Sequence, residues 1–281
     1  SGLYLVATPI GAARDITLKA LDILGAADVL AAEDTRTLRK LMDIHGIALG
    51  ERRIVSFHDH NAKSALPKIL DALKVGKSVA YASDAGTPLI SDPGYDLTRA
   101  VIEADLPLVS APGPTAAIAA LTLSGLPSDA FFFAGFLPSK MSKRKSALEA
   151  LRDVPGTLVF YESPKRVAGM LSDAAEVLGD GRDAAVCREI TKRFEETMRG
   201  HLGALAGQVA DRDLKGEIVV LVARGDSENV SQVDIDTALK AALETGSVRD
   251  AAEVVAGKFG LKKRDVYQRA LAISQELEGE R

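Results

Sequence analysis

The sequence predicts an α/β fold of two layered domains followed by a small helical module, and three features of its patterning predict it. Through residues 1–111, short and nearly continuous apolar runs alternate with stretches of helical periodicity, the signature of a parallel sheet covered by helices on both faces. In residues 112–226, strand-like runs follow one another without a helix between them, which requires mixed, partly antiparallel pairing. Residues 232–281 carry helical periodicity alone.

The first domain, 1–111, opens with the apolar run of a strand over 3–8 and a helix over 18–24, where leucines recur at threefold spacing. A short strand over 29–32, a helix over 37–45, a strand over 54–57 and a helix over 65–75 repeat the alternation. A strand over 79–82, a helix over 95–104 and a strand over 108–110 complete it. Ala111-Pro112-Gly113-Pro114 then breaks both periodicities, because two prolines around a glycine continue neither strand nor helix, and a domain boundary is expected there. The second domain, 112–226, reads as a helix over 115–124, strands over 131–135, 158–161, 184–188, 195–200 and 217–223, and helices over 142–152 and 164–178. After Arg224-Gly225-Asp226 a polar stretch, 227–234, leads into helical sequence over 235–277 with breaks at Thr245-Gly246 and Phe259-Gly260-Leu261.

A chain of 281 residues with 47% hydrophobic content buries enough surface for two cores. Its one cysteine, Cys187, excludes an internal disulfide, and no Cys/His spacing suits zinc, so no metal is expected. No apolar run reaches the roughly 18 residues of a spanning helix and the N-terminus lacks the regions of a signal peptide, so a cytoplasmic protein without membrane contact is expected. A net charge of −4 argues against indiscriminate nucleic-acid binding but leaves room for local basic patches.

Polar clusters recur where strands end, the edge at which open α/β sheets bind ligands. Thr8-Pro9-Ile10-Gly11 is neither a GxxxxGK[ST] phosphate loop nor a GxGxxG fingerprint, which disfavours nucleoside triphosphates and NAD. Glu33-Asp34-Thr35-Arg36 reads either as a polar site or as a helix cap with Arg36 in solvent. Ser56-Phe57-His58-Asp59-His60-Asn61 offers a substrate contact or a hydrogen-bonded turn, since a metal would lack a third ligand. Residues 83–94, Ser-Asp-Ala-Gly-Thr-Pro-Leu-Ile-Ser-Asp-Pro-Gly, form the densest turn in the chain, with Asp92 placed near the N-terminal dipole of the next helix. Pro112-Gly113-Pro114-Thr115-Ala116-Ala117 enters a helix through small residues, so a ligand can approach free backbone N–H groups. Phe160-Tyr161-Glu162-Ser163-Pro164-Lys165-Arg166 and Arg188-Glu189-Ile190-Thr191-Lys192 repeat the layout, and together these loops predict one shared polar cleft.

Taken in order, these motifs resemble the ribosomal RNA small subunit methyltransferase I family of the tetrapyrrole methylase superfamily over about residues 3–225. Ala12 departs from the pattern, standing where members commonly have Asn. The resemblance implies two α/β domains with S-adenosylmethionine in the cleft between them, a homodimer, and methylation of a cytidine ribose 2′-oxygen in the decoding region of 16S rRNA within the small ribosomal subunit. It implies cofactor contacts at Pro9, Asp84, Ala85, Gly86, Ile90, Thr115, Ala116, Tyr161 and Glu217, many through backbone. Methyl transfer is an in-line displacement that rests on alignment, helped by a base or a polarising cation at the 2′-oxygen. The candidates for that catalytic role are Glu33, Asp34, Arg36, His58, Glu162, Lys165 and Glu189, with no choice among them.

RNA requires positive charge, and two segments offer it: Lys140, Lys143, Arg144 and Lys145, and the tail with Lys262, Lys263, Arg264 and Arg269. The tail over 247–274 resembles a helix-turn-helix pair, which would dock RNA through phosphates. Two rivals stand beside this: a small-molecule tetrapyrrole methyltransferase, which has no use for a basic tail, and a non-catalytic ribosome-assembly factor, against which the intact polar loops count.

Overall fold

The computed structural model describes the chain apart from Asp59, residues 226–231, Thr245, Gly260, Lys262 and residues 280–281. Lys262, a predicted RNA contact, and most of the polar stretch over 227–234 therefore lie outside the described residues. The first sheet is all parallel and contains β1 (Gly2–Val6), β2 (Val29–Ala32), β3 (Ile54–Ser56), β4 (Ser78–Ala82) and β5 (Leu108–Ala111), in the order β3-β2-β4-β1-β5. Alternating side chains give each face its own core. Val6, Leu30, Ala32 and Ala80 meet Leu24 of α1 (Leu18–Ala26) and Leu38 and Met42 of α2 (Thr35–Ile44). Leu3, Ala31, Val79 and Tyr81 meet Ile69 and Leu73 of α3 (Ala62–Lys74) and Leu97 and Val101 of α4 (Tyr95–Glu103). Thr17 caps α1 by accepting from the Ala20 N–H, and Asp34 caps α2 by accepting from the Arg36 N–H.

From α5 (Ala116–Ser124) onward the chain builds a second sheet. Its strands are β6 (Phe131–Phe136), β7 (Thr157–Glu162), β8 (Asp183–Arg188), β9 (Glu196–His201) and β10 (Ile218–Val222), in the order β6-β7-β10-β8-β9. Only β6 and β7 pair in parallel, across α6 (Met141–Leu151), and the remaining pairs are antiparallel. The mixed pairing is the one expected. Val159, Ala185, Cys187, Val219 and Leu221 face α5. Leu158, Phe160, Val186 and Val220 face α7 (Val167–Leu178) and α8 (Leu202–Ala210).

Helix α8 is absent from the sequence expectation. Leu202, Leu205 and Val209 carry a helical period and are buried, but the helix is short and Gly203 and Gly207 lower its propensity, so packing decides it. The tail holds α9 (Gln232–Leu243), α10 (Val248–Phe259) and α11 (Lys263–Gly279) around Leu239, Val255, Val266 and Ile273. The expected helix pair is α10 with α11, and α9 completes their core.

Two consequences position the site. A parallel sheet delivers the carboxyl ends of its strands to one edge, which here carries Thr8, Glu33 and Ser83. In the second sheet Ile218 is opposite both Glu162 and Arg188, so β7 and β8 end where β10 begins.

Candidate active site

These two edges enclose a cavity of about 450 Å³. The loop after β4 forms one wall and is pinned from below. Thr8 and Gly86 exchange backbone hydrogen bonds of 2.9 and 3.0 Å, Ser83 Oγ donates to the Gly86 carbonyl at 2.7 Å, and Thr8 Oγ1 donates to the Ser83 carbonyl at 3.1 Å. Gly86 adopts φ +82°, which a side chain tolerates poorly. Thr87 Oγ1 donates to the Pro114 carbonyl at 3.0 Å and lies 2.6 Å from Thr115 Oγ1, joining this wall to the start of α5. Tyr161 Oη accepts from the Ala117 N–H at 3.2 Å, and its ring is flanked edge-on by Phe133 and Phe136 at 4.9 and 5.7 Å between centroids.

A second loop, 188–192, meets the first-sheet loop 8–12. The Ala12 N–H donates to Thr191 Oγ1 at 3.1 Å, and a Cβ on Gly11 would stand 2.5 Å from the same oxygen. The contact at position 12 uses only backbone, so the Asn-to-Ala departure leaves it intact. Leu89, Ser91, Glu189 and Thr191, with φ between 52 and 71°, are four of the five described non-glycine residues in the left-handed region. All four stand on these two loops, where the cost of order 1–3 kcal/mol each is borne by surrounding contacts.

The charge of the cavity is one-sided. Glu33, Asp84, Asp92, Glu162 and Glu217 line it, and no Lys, Arg or His does among the described residues. The Asp92 carboxyl is pushed up to about 7, first by burial and then by Glu33, Asp84 and Glu217. Cations stand behind the wall. Lys192 Nζ donates to Glu189 at 2.9 Å and Glu217 at 2.8 Å, while Arg166 lies 3.2 Å from the buried Glu162 Oε2. Burial would lower the Lys192 ammonium, but the bonds to Glu217 and Glu189 outweigh it and raise it.

Of the predicted cofactor contacts, Asp84, Ala85, Gly86, Ile90, Thr115, Ala116, Tyr161 and Glu217 line this cavity; Pro9 does not, although its neighbour Ile10 does. Of the catalytic candidates, Glu33 and Glu162 line it. Glu162 is committed, since its Oε1 accepts the Ser163 N–H at 2.7 Å. Asp34, Arg36, His58, Lys165 and Glu189 are not in the lining. Asp34 is the cap of α2, held at about 2 by its bonds from Arg36, whose own side chain is 90% exposed. His58 sits in a turn organised by Asn61, which accepts the His58 N–H at 2.9 Å. Lys165 is exposed, and Glu189 accepts from Lys192 and the Glu217 N–H as a strut between loops.

Asp92 corrects the expectation in the other direction. Gly94 is the N-cap of α4, with no side-chain cap, and Asp92 faces the cavity. The signal was present as the second carboxylate of the turn over 83–94. Among the predicted RNA contacts, Arg144 is buried against Asp173 at 2.6 Å, Lys145 pairs with Glu176 at 2.6 Å, and Arg269 binds Asp236 through two bonds. Their charges are spent inside the fold. Lys140, Lys143, Lys263 and Arg264 remain exposed, with Lys263 paired to Glu253.

Residues 2–206 match the family model of Tetrapyrrole (Corrin/Porphyrin) Methylases, and residues 229–274 match that of the RsmI C-terminal HTH domain. The ribosomal RNA small subunit methyltransferase I of Mesorhizobium japonicum is 50% identical over 96% of this chain and 92% of its own length. The chain belongs to that family. Its counterpart from Escherichia coli O157:H7 is 41% identical over 96% of this chain and 94% of its own. The fold is shared with uroporphyrin-III C-methyl transferase from Thermus thermophilus, solved in complex with S-adenyl homocysteine, at TM-score 0.54 and 18% identity over 79% of this chain and 97% of that one. Family membership makes the chain a methyltransferase that uses S-adenosylmethionine. The cleft fits this cofactor. A ligand carrying a sulfonium and an ammonium suits a lining with five carboxylates and no cation, and one without phosphates requires no basic loop.

Proposed function

We propose that the chain methylates small-subunit ribosomal RNA, and that its acceptor is the ribose 2′-oxygen of a cytidine in the decoding region of 16S rRNA. The observation that supports it most is the cation-free acidic cleft between the two sheets, which suits a sulfonium donor and repels phosphates, so that a nucleotide would enter ribose first. When bound, the cofactor supplies a methyl carbon on a positively charged sulfur. Asp84, Ala85, Gly86, Ile90, Thr115, Ala116, Tyr161 and Glu217 would hold it, with Pro9 shaping the loop beneath.

The work of the chain is then alignment, since in-line displacement needs the acceptor oxygen near attack distance and water excluded. Asp92 is the base we favour, because it lines the cleft and its carboxyl, held up to about 7 before the cofactor binds, is ionised by the cofactor's positive charge and so left free to accept a proton. Residues 1–111 and 112–226 would share the cleft, and 232–281 would add RNA contacts through Arg264 and Lys263. Phe131, Phe132 and Phe136 are exposed on edge strand β6, a strip that a second copy in a cytoplasmic homodimer would cover. Sedimentation equilibrium checks this, and a monomer at micromolar concentration rejects it.

The deciding assay incubates the protein with methyl-labelled cofactor and assembled small subunits lacking the modification, then digests the RNA to nucleosides. Label in 2′-O-methylcytidine is the expected result. Label on another nucleoside or on a base rejects the acceptor, and no label despite measured cofactor binding rejects RNA methylation.

A further inference from the structure

The cleft rejects phosphates, so a polynucleotide must be held somewhere near its mouth. A shallow groove of about 620 Å³ lies on the first domain, lined by Arg36, Arg39, Lys40, Arg52 and Arg53 against a single acid, Asp43. Among the described residues Arg36 pairs with Asp34 at 2.7 Å and Arg39 with Asp43 at 3.6 Å, and Lys40, Arg52 and Arg53 add a net positive charge, a local inversion in a chain of net charge −4. The groove is built on α2, whose Leu38 and Met42 are buried while Arg36, Arg39 and Lys40 are exposed on the other side. Arg52 forms one wall, donating to the carbonyls of Leu24, Ala27, Ala48 and Leu49 at 2.7 to 3.1 Å. Lys40 and Arg53 are exposed at the rim.

The groove adjoins the active site along the chain. Glu33 lines the cleft, the Asp34 N–H donates to Asp84 Oδ1 at 2.9 Å, and α2 starts at the next residue. At 1.5 Å rise per residue, Arg36 to Lys40 lie about 1.5 to 7.5 Å along the helix from that start. We infer that this groove is the track for the substrate RNA strand, engaging phosphates beside the acceptor nucleotide while the ribose enters the acidic cleft. The inference rests on RNA being the substrate. It assigns docking next to the chemistry to α2 and leaves the helical tail a more distant contact.

The test uses the full-length protein and assembled small subunits. Arg39→Gln, Lys40→Gln and Arg53→Gln together leave Arg36 and the structural Arg52 in place. The triple variant should bind subunits about tenfold or more weakly, and its plot of log affinity against log salt should be shallower by about 2 to 3. Its cofactor affinity, read by calorimetry, should be unchanged. A photo-crosslinking residue at Lys40 should capture ribosomal RNA. Unchanged subunit affinity and salt slope overturn the inference, as does capture of a ribosomal protein in place of RNA. If the unmodified protein itself neither binds nor methylates subunits, RNA methylation fails and not merely the groove.

Discussion

Asp92 concentrates the chemistry of the cleft in one side chain. Its folded-state value of about 7 lies well above that of an unfolded aspartate, chiefly through burial and then through Glu33, Asp84 and Glu217. The unfolded chain therefore releases this proton at lower pH than the folded one. Stability from this group is present in acid and is lost as pH rises from about 4 to about 7. Asp92→Asn should accordingly raise the melting temperature at pH 8 by a few degrees and change it little at pH 4, as read by calorimetry; equal shifts at both would contradict the sign. The same ionisation should strengthen binding of the cationic cofactor between pH 6 and 8, with a proton released on binding and a weaker trend for S-adenosylhomocysteine, whose sulfur is neutral. Arg144 makes the opposite case, since a lysine-rich stretch reads as surface while the guanidinium is buried on Asp173. Arg144→Ala should cost about 3–5 kcal/mol in urea denaturation by stranding that carboxylate, and a loss below 1 kcal/mol would put Arg144 back among the surface contacts. The loops that carry Asp84, Gly86 and Tyr161 were legible because turn chemistry and strand position are local, and the family resemblance singled out these residues within them. Burial and pairing are not local, which is why Asp92 and Arg144 were misplaced.

Among the elements, strands and long helices were legible from period alone, since β2 and α4 start where the apolar patterns start. Helix α8 was not, because its stability comes from Leu202, Leu205 and Val209 packing on the second sheet. The loops at strand ends were recognisable as polar sites, but which of them meet was fixed only by the edges of two sheets. One close meeting across the two sheets is Gly11 with Thr191, Lys192 and the Ile190 carbonyl, all within 2.9 Å of where a Cβ would stand. Gly11→Ala must push the 8–12 loop off the 188–192 loop. A destabilisation of about 1–3 kcal/mol is expected, together with weaker cofactor binding because Ile10 and Ile190 both line the cavity. Calorimetric titration checks the second part, and an unchanged affinity would mean that the two loops move independently of the cleft.

Across the whole molecule, charge is sorted by region, with carboxylates lining the cleft, cations lining the α2 groove, and the tail presenting Lys263 and Arg264 outward. The net charge of −4 conceals that arrangement. The tail has its own core of Leu239, Val255, Val266 and Ile273, and none of its described residues lines the cavity. Removing residues 232–281 should therefore leave cofactor affinity within about twofold and the melting of the remaining sheets intact, since separate cores lose little when one is removed. Binding to small subunits should fall further, with a shallower salt dependence, because exposed cations leave with the tail. Equal losses of cofactor and subunit binding would show that the three helices support the cleft itself. Loss of neither would leave the α2 groove to dock RNA alone, which makes the truncated protein the sharpest background in which to measure Lys40 and Arg53.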